Sequence, residues 1–141
     1  MAPRADAEWS GDLKGGSGTM RTGSGAYDGD FTYKTRFEDA PGTNPEELIA
    51  AALAGCFSMA LSNMLSEEGH VPDRIHTDAS VTMGTVDDGP GIEKIELTCQ
   101  GDVPGIDQVQ FEEIAAKAKA GCPIGKALAA VPTINLTATL N

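Results

Sequence analysis

The stretch from Thr43 to Leu65 constrains this chain more than any other. Thr43 or Asn44 can cap a helix, Pro45 suits the first helical position, and Glu46 or Glu47 stands where a capping box places its acid. From Leu48 to Leu65 the residues are apolar nearly all round, and Ala50, Ala51, Ala52, Ala54, Gly55 and Ala60 give a thin surface that another backbone can approach. Such a helix is expected to be buried on several sides.

The flanking sequence reads as strands and further helices. Ala7–Leu13 and Gly18–Thr22 are expected strands separated by a glycine turn, and Phe31–Phe37 a third, with Phe31, Tyr33 and Phe37 on one face and Arg36 on the other. After Ser66-Glu67-Glu68-Gly69 closes the long helix, Ile75, Thr77, Ala79, Val81 and Met83 alternate with polar residues. Asp87-Asp88-Gly89-Pro90-Gly91 turns the chain, and Ile95, Leu97 and Cys99 share the returning face. Asp107 or Ile106 opens a helix with Gln110 in the capping-box position, ending at Gly121, and Cys122-Pro123 starts a short one. Ile134, Leu136, Ala138 and Leu140 alternate along a last strand. The order βββ-α-ββ-αα-β predicts an α+β fold, and no linker or repeat divides residues 1–141, so one domain is expected.

Composition narrows the function classes. A net charge of -11 argues against binding a phosphate backbone, so no nucleic-acid partner is expected. Three cysteines, without a CxxC pair or a Cys/His quartet, indicate neither a disulfide framework nor a zinc site, and suit a reducing compartment. The N-terminus shows no secretion-signal pattern, and the longest apolar run, Leu48 to Phe57, is about half what a bilayer crossing needs. A cytoplasmic protein with no membrane partner is expected.

Chemistry then rests on the thiols. Cys122 occupies an N-cap position before Pro123, where free N–H groups and the helix dipole favour the thiolate. Cys56 lies inside the apolar helix, where burial alone would leave it inert, so it needs a positive partner, for which Arg36 is the best candidate. Cys99 reads as core. Singly, a cysteine on an apolar helix face packs more often than it reacts. His70 and His76 have no ligand-like spacing to the thiols, and neither metal nor cofactor is expected.

Thr35-Arg36-Phe37-Glu38, Gly42-Thr43-Asn44-Pro45-Glu46-Glu47-Leu48-Ile49, Gly55-Cys56-Phe57-Ser58-Met59-Ala60-Leu61-Ser62, Val103-Pro104-Gly105-Ile106 and Lys117-Ala118-Lys119-Ala120-Gly121-Cys122-Pro123 together resemble the osmotically inducible protein C family, the OsmC/Ohr thiol peroxidases, and more closely its OsmC branch. The resemblance implies an OsmC-like fold in an intertwined homodimer, with long central helices packed between sheets. It also implies peroxiredoxin-like reduction of organic hydroperoxides, and less readily of hydrogen peroxide, in oxidative or osmotic stress, with an external dithiol as reductant. By it Cys56 is the peroxidatic cysteine, Cys122 the resolving one, and Glu46 an active-site glutamate. The arginine is Arg36 by the OsmC branch, or one near Arg21 by the Ohr branch.

Ten helical residues separate Glu46 from Cys56 by about 15 Å of rise, so Glu46, if part of the site, is expected to serve the partner chain's cysteine. A capping-box role alone is the plainer alternative for it. A non-catalytic stress or ligand-binding dimer of the same fold is the competing reading of the whole chain, and a metal module built on the thiols a weaker one.

Overall fold

A computed structural model describes residues 1–141. Its backbone divides into two compact units, Met1–Leu48 and Ile49–Asn141. The first is an antiparallel meander of β1 (Ala5–Ser10), β2 (Ser17–Thr22) and β3 (Asp28–Phe31), followed by the short helix α1 (Tyr33–Phe37). Trp9 on β1 packs against Phe31 on β3 with ring centroids 5.2 Å apart. A helix α2 (Pro45–Glu67) begins in this unit and continues into the second.

The expected strand over Phe31–Phe37 is corrected here: it stops at Phe31, and Arg36 sits on α1. The cause is local. Thr32 caps the helix by accepting from the Thr35 N–H, and the Thr35 hydroxyl accepts from the Thr32 N–H, a reciprocal box that the alternating aromatics conceal. Two helices therefore follow the meander where one was expected.

Asn44 is the residue that caps α2, its side-chain oxygen accepting from the Glu47 N–H at 2.8 Å. The Asn44 amide also donates to the Thr35 carbonyl of α1 at 2.9 Å. At the other end Gly69 adopts φ +87, its N–H bonding to Ser66 and the His70 N–H to Leu65, a paired arrangement that satisfies the last carbonyls and needs a residue without Cβ. Between these ends the buried apolar residues are Leu53, Phe57, Leu61 and Leu65, one stripe at four-residue spacing, with Glu46 the one buried polar residue. Burial on several sides is thus not found within the single chain: Met59 is 77% exposed. By length and composition the whole helix, unlike its uninterrupted apolar run, is long and apolar enough to cross a membrane, with a mean hydropathy of 1.8 over its best window.

The second unit holds a sheet in the order β4-β5-β6, from β4 (Arg74–Val86), β5 (Gly89–Asp102) and β6 (Thr133–Leu140). β4 and β5 form an antiparallel hairpin, while β6 returns parallel to β5 after the crossover through α3 (Gln108–Gly121) and α4 (Pro123–Ala127). The hairpin turn is tighter than expected. Asp87 and Asp88, both at positive φ, make it, and pairing resumes at Gly89. Alternation held along both strands: Ile95, Leu97 and Cys99 are buried and Glu96, Thr98 and Gln100 exposed. Asp107 caps α3 in a box with Gln110. The α2 stripe, the inner face of β5 and Phe111, Ile114, Ala115 and Ala118 of α3 compose one core.

Candidate active site

The helix break before Pro123 places the first thiol. Cys122 ends α3, its N–H bonding to the Ala118 carbonyl, and it caps α4, its Sγ accepting from the Gly125 N–H at 3.4 Å. Gly121 is simply the last helical residue, because the Cys122 backbone (ψ 125) takes the extended conformation that a following proline favours. The side chain is wholly buried. Cys56, half-buried, packs against the same core from α2, close enough to the Cys122 thiol to raise its pKa. Two thiols from distant segments therefore form a pair.

The electrostatics of Cys122 overturn one expectation. Burial pushes its thiol above the ordinary range, the proximity of Cys56 adds to the rise, and the Gly125 N–H pulls the other way without prevailing. The cap is present, but desolvation and the neighbouring Cys56 outweigh it. Cys99 is raised as well, by burial, against a smaller opposite effect of its hydrogen bond to Thr77. Thr77 is bonded in turn to Ser58 on α2 at 2.7 Å, a polar thread through the core that alternation along β4 did not reveal.

In the first unit, Arg36 and Glu46 meet. Arg36 Nη2 donates to Glu46 Oε1 at 2.6 Å, and Nε donates to both carboxylate oxygens at 3.1 and 3.2 Å. The glutamate side chain is 10% exposed and the arginine 33%, and the guanidinium also lies 5.2 Å from the Phe37 ring. Glu46 therefore pairs with Arg36 and makes no capping bond to α2; the Glu47 carboxylate accepts from the Thr43 hydroxyl at 2.6 Å. Arg21, the other candidate arginine, is held on the exposed sheet surface by Asp28, its partner in the β2–β3 register, at 3.2 Å.

Small residues near the thiols have different roles from one another. A Cβ at Gly121 would meet Met64 Cε at 3.1 Å, whereas one at Gly55 would meet nothing within 4 Å. No three His, Cys, Asp or Glu side chains converge as a metal site would require. Leu53 and Phe57 belong to the core and also line a cavity of about 390 Å³ beside Cys122. Lys119 and Lys126 line it too, and no sequence feature singled out either lysine for a site.

The family model described as OsmC-like protein matches residues 37–137. Over 133 residues the chain is 50% identical to the peroxiredoxin OsmC of Escherichia coli (strain K12), covering 94% of this chain and 93% of that protein. It is 35% identical over 97 residues to an organic hydroperoxide resistance protein of Xanthomonas axonopodis pv. citri (strain 306), covering 68% and 66% of the two chains. Among solved structures, the organic hydroperoxide resistance protein OhrB of Bacillus subtilis aligns with a TM-score of 0.70 at 25% identity, over 98% of each chain. An OsmC-like protein of unknown function from Vibrio cholerae aligns with a TM-score of 0.76 at 15% identity, over 97% of this chain and 99% of that one, a likeness of fold. The matched range spans the long helix, the hairpin and both cysteines, and the chain belongs to the OsmC-like protein family.

Proposed function

We propose that this protein is a thiol-dependent peroxidase that reduces organic hydroperoxides, and hydrogen peroxide less readily, to alcohols and water in defence against oxidative and osmotic stress. The observation that carries the reading is the pairing of Cys56 with the buried Cys122. The names of the relatives, a peroxiredoxin and an organic hydroperoxide resistance protein, support the same chemistry.

In the first step the Cys56 thiolate attacks the distal peroxide oxygen. The O–O bond breaks, the alkoxide takes a proton, and Cys56 becomes a sulfenic acid. The raised pKa of Cys122 supports this division of labour, because the member that holds its proton can donate it towards a Cys56 anion. Oxidation of Cys56 to an uncharged sulfenic acid removes one cause of that rise, so Cys122 ionises more readily when its turn comes. Its thiolate then attacks the sulfenic sulfur, hydroxide leaves as water on protonation, and a Cys56–Cys122 disulfide forms. An external dithiol resets the enzyme, and no metal or organic cofactor takes part.

Arg36 stabilises the Cys56 thiolate and the developing alkoxide, and Glu46 orients the guanidinium by its bidentate grip. Because α2 runs unbroken from Pro45 to Glu67, the rise of about 15 Å between Glu46 and Cys56 holds, and the pair serves Cys56 of the partner subunit in a homodimer. The exposed apolar side of α2, with Met59 outermost, supports a second copy as its cover. Three free cysteines fit a cytoplasmic setting, where thiols are kept reduced.

One equivalent of tert-butyl hydroperoxide is expected to link Cys56 to Cys122 in the native chain. C56S should not react, and C122S should stop at a trapped sulfenic acid. A native protein whose two thiols remain unlinked after stoichiometric peroxide refutes the reading.

A further inference from the structure

The charge of this chain is unevenly placed. Against a net charge of -11, the segment Ile114–Asn141 contains no Asp or Glu, and Lys117, Lys119 and Lys126 stand within it on either side of Cys122. The cavity of about 390 Å³ beside Cys122 has apolar lining from Leu53, Phe57, Leu97 and Ile134. Its only charged lining residues are Lys119 and Lys126, and neither forms an ion pair. Glu96 and Glu112 share an adjacent groove with Lys119 without bonding to it. A small apolar cavity with two unpaired cations, and with Cys122 among its lining residues, fits a short-chain anion that carries a thiol.

We infer that this cavity is the docking site of the reductant, that it selects a carboxylate-bearing thiol, and that it directs attack to Cys122 rather than Cys56. The inference rests on the peroxidase reading above. The reductant thiolate attacks Cys122 Sγ, the Cys56–Cys122 bond breaks, and the electron pair departs on Cys56 as its thiolate. The second thiolate of the dithiol reductant attacks the reductant sulfur of the mixed disulfide. Cys122 is released as thiolate and takes a proton, and the oxidised reductant leaves as a disulfide. Cys122 Sγ is shielded while it caps α4, so entry follows movement of this five-residue helix.

The test uses full-length protein oxidised by one equivalent of tert-butyl hydroperoxide and then mixed with 3-mercaptopropionate or 2-mercaptoethanol, with rates expressed per thiolate. The carboxylate thiol is expected to react faster, with a preference that shrinks as salt rises. The double variant K119Q/K126Q should lower the ratio of the two rates by about tenfold, whereas K14Q/K34Q, which removes the same two charges from outside the cavity lining, should keep it. The ratio is insensitive to a general loss of folded protein. Rapid quenching and peptide mapping should find the mercaptopropionate adduct on Cys122. Equal rates for the two thiols, an unchanged ratio in K119Q/K126Q, or an adduct on Cys56 overturns the inference and leaves the peroxidase reading standing. Absence of the disulfide after peroxide overturns both.

Discussion

Removing one partner of the Arg36–Glu46 pair should cost different amounts depending on which partner goes. Replacing Arg36 with Ala strands a carboxylate whose side chain is only 10% exposed, and also removes the guanidinium from its place 5.2 Å from the Phe37 ring. Breaking a fully buried pair costs roughly 3–5 kcal/mol. The one-third exposure of Arg36 scales that down, so R36A should lose about 2–3 kcal/mol. Replacing Glu46 with Ala leaves an arginine that can turn to water, and should lose about 1–2 kcal/mol, including the acid's favourable place in the first turn of α2. The double variant should then be more stable than the sum of the two losses implies, with a coupling of about 1–2 kcal/mol. Urea denaturation at fixed protein concentration, followed by far-ultraviolet circular dichroism, measures all four corners of the cycle. Equal single losses that add within about 0.3 kcal/mol would refute the reasoning, because the carboxylate would then be stable without the guanidinium.

Three further outcomes follow from the core and its thiols. Leu61→Ala, at a wholly buried position in the α2 stripe, should lower stability by about 3 kcal/mol in the same denaturation assay. Gly101→Ala should be destabilising by about 1–3 kcal/mol, since its Cβ would lie 2.5 Å from Phe111 Cζ; a calorimetric melting temperature equal to the parent's would count against the close packing of β5 on α3. Burial raises the pKa of both Cys99 and Cys122 above the ordinary 9.0, so the folded state holds these protons longer than the unfolded chain does. Their stabilising effect is complete below about pH 9 and is lost as pH climbs towards the folded-state values; thermal melts of reduced protein from pH 8 to 10.5 should show that decline, and C99A/C122A should flatten it relative to the parent.

Legibility followed the range of the interaction. The Asp107–Gln110 box, the hairpin alternation and the Cys122 cap lie within a few residues of the groups they engage, and each is found where it was expected. Phe31–Phe37 misled because its aromatics alternate like a strand, while the reciprocal Thr32–Thr35 bonds that nucleate α1 occupy the polar positions between them. The proton affinity of Cys122 was misjudged for a different reason. The cap is local and visible, but the burial and the neighbouring Cys56 that outweigh it arrive from α2.

By itself the amino-acid order determined the capped central helix, the α+β succession and the two cysteines in their family motifs, because propensity, periodicity and motif spacing are written along the chain. Tertiary structure alone brought Cys56 to Cys122, turned Arg36 onto Glu46 and left Lys119 and Lys126 unpaired beside a cavity. Those outcomes depend on which surfaces close over one another, and desolvation and charge proximity act only once they have.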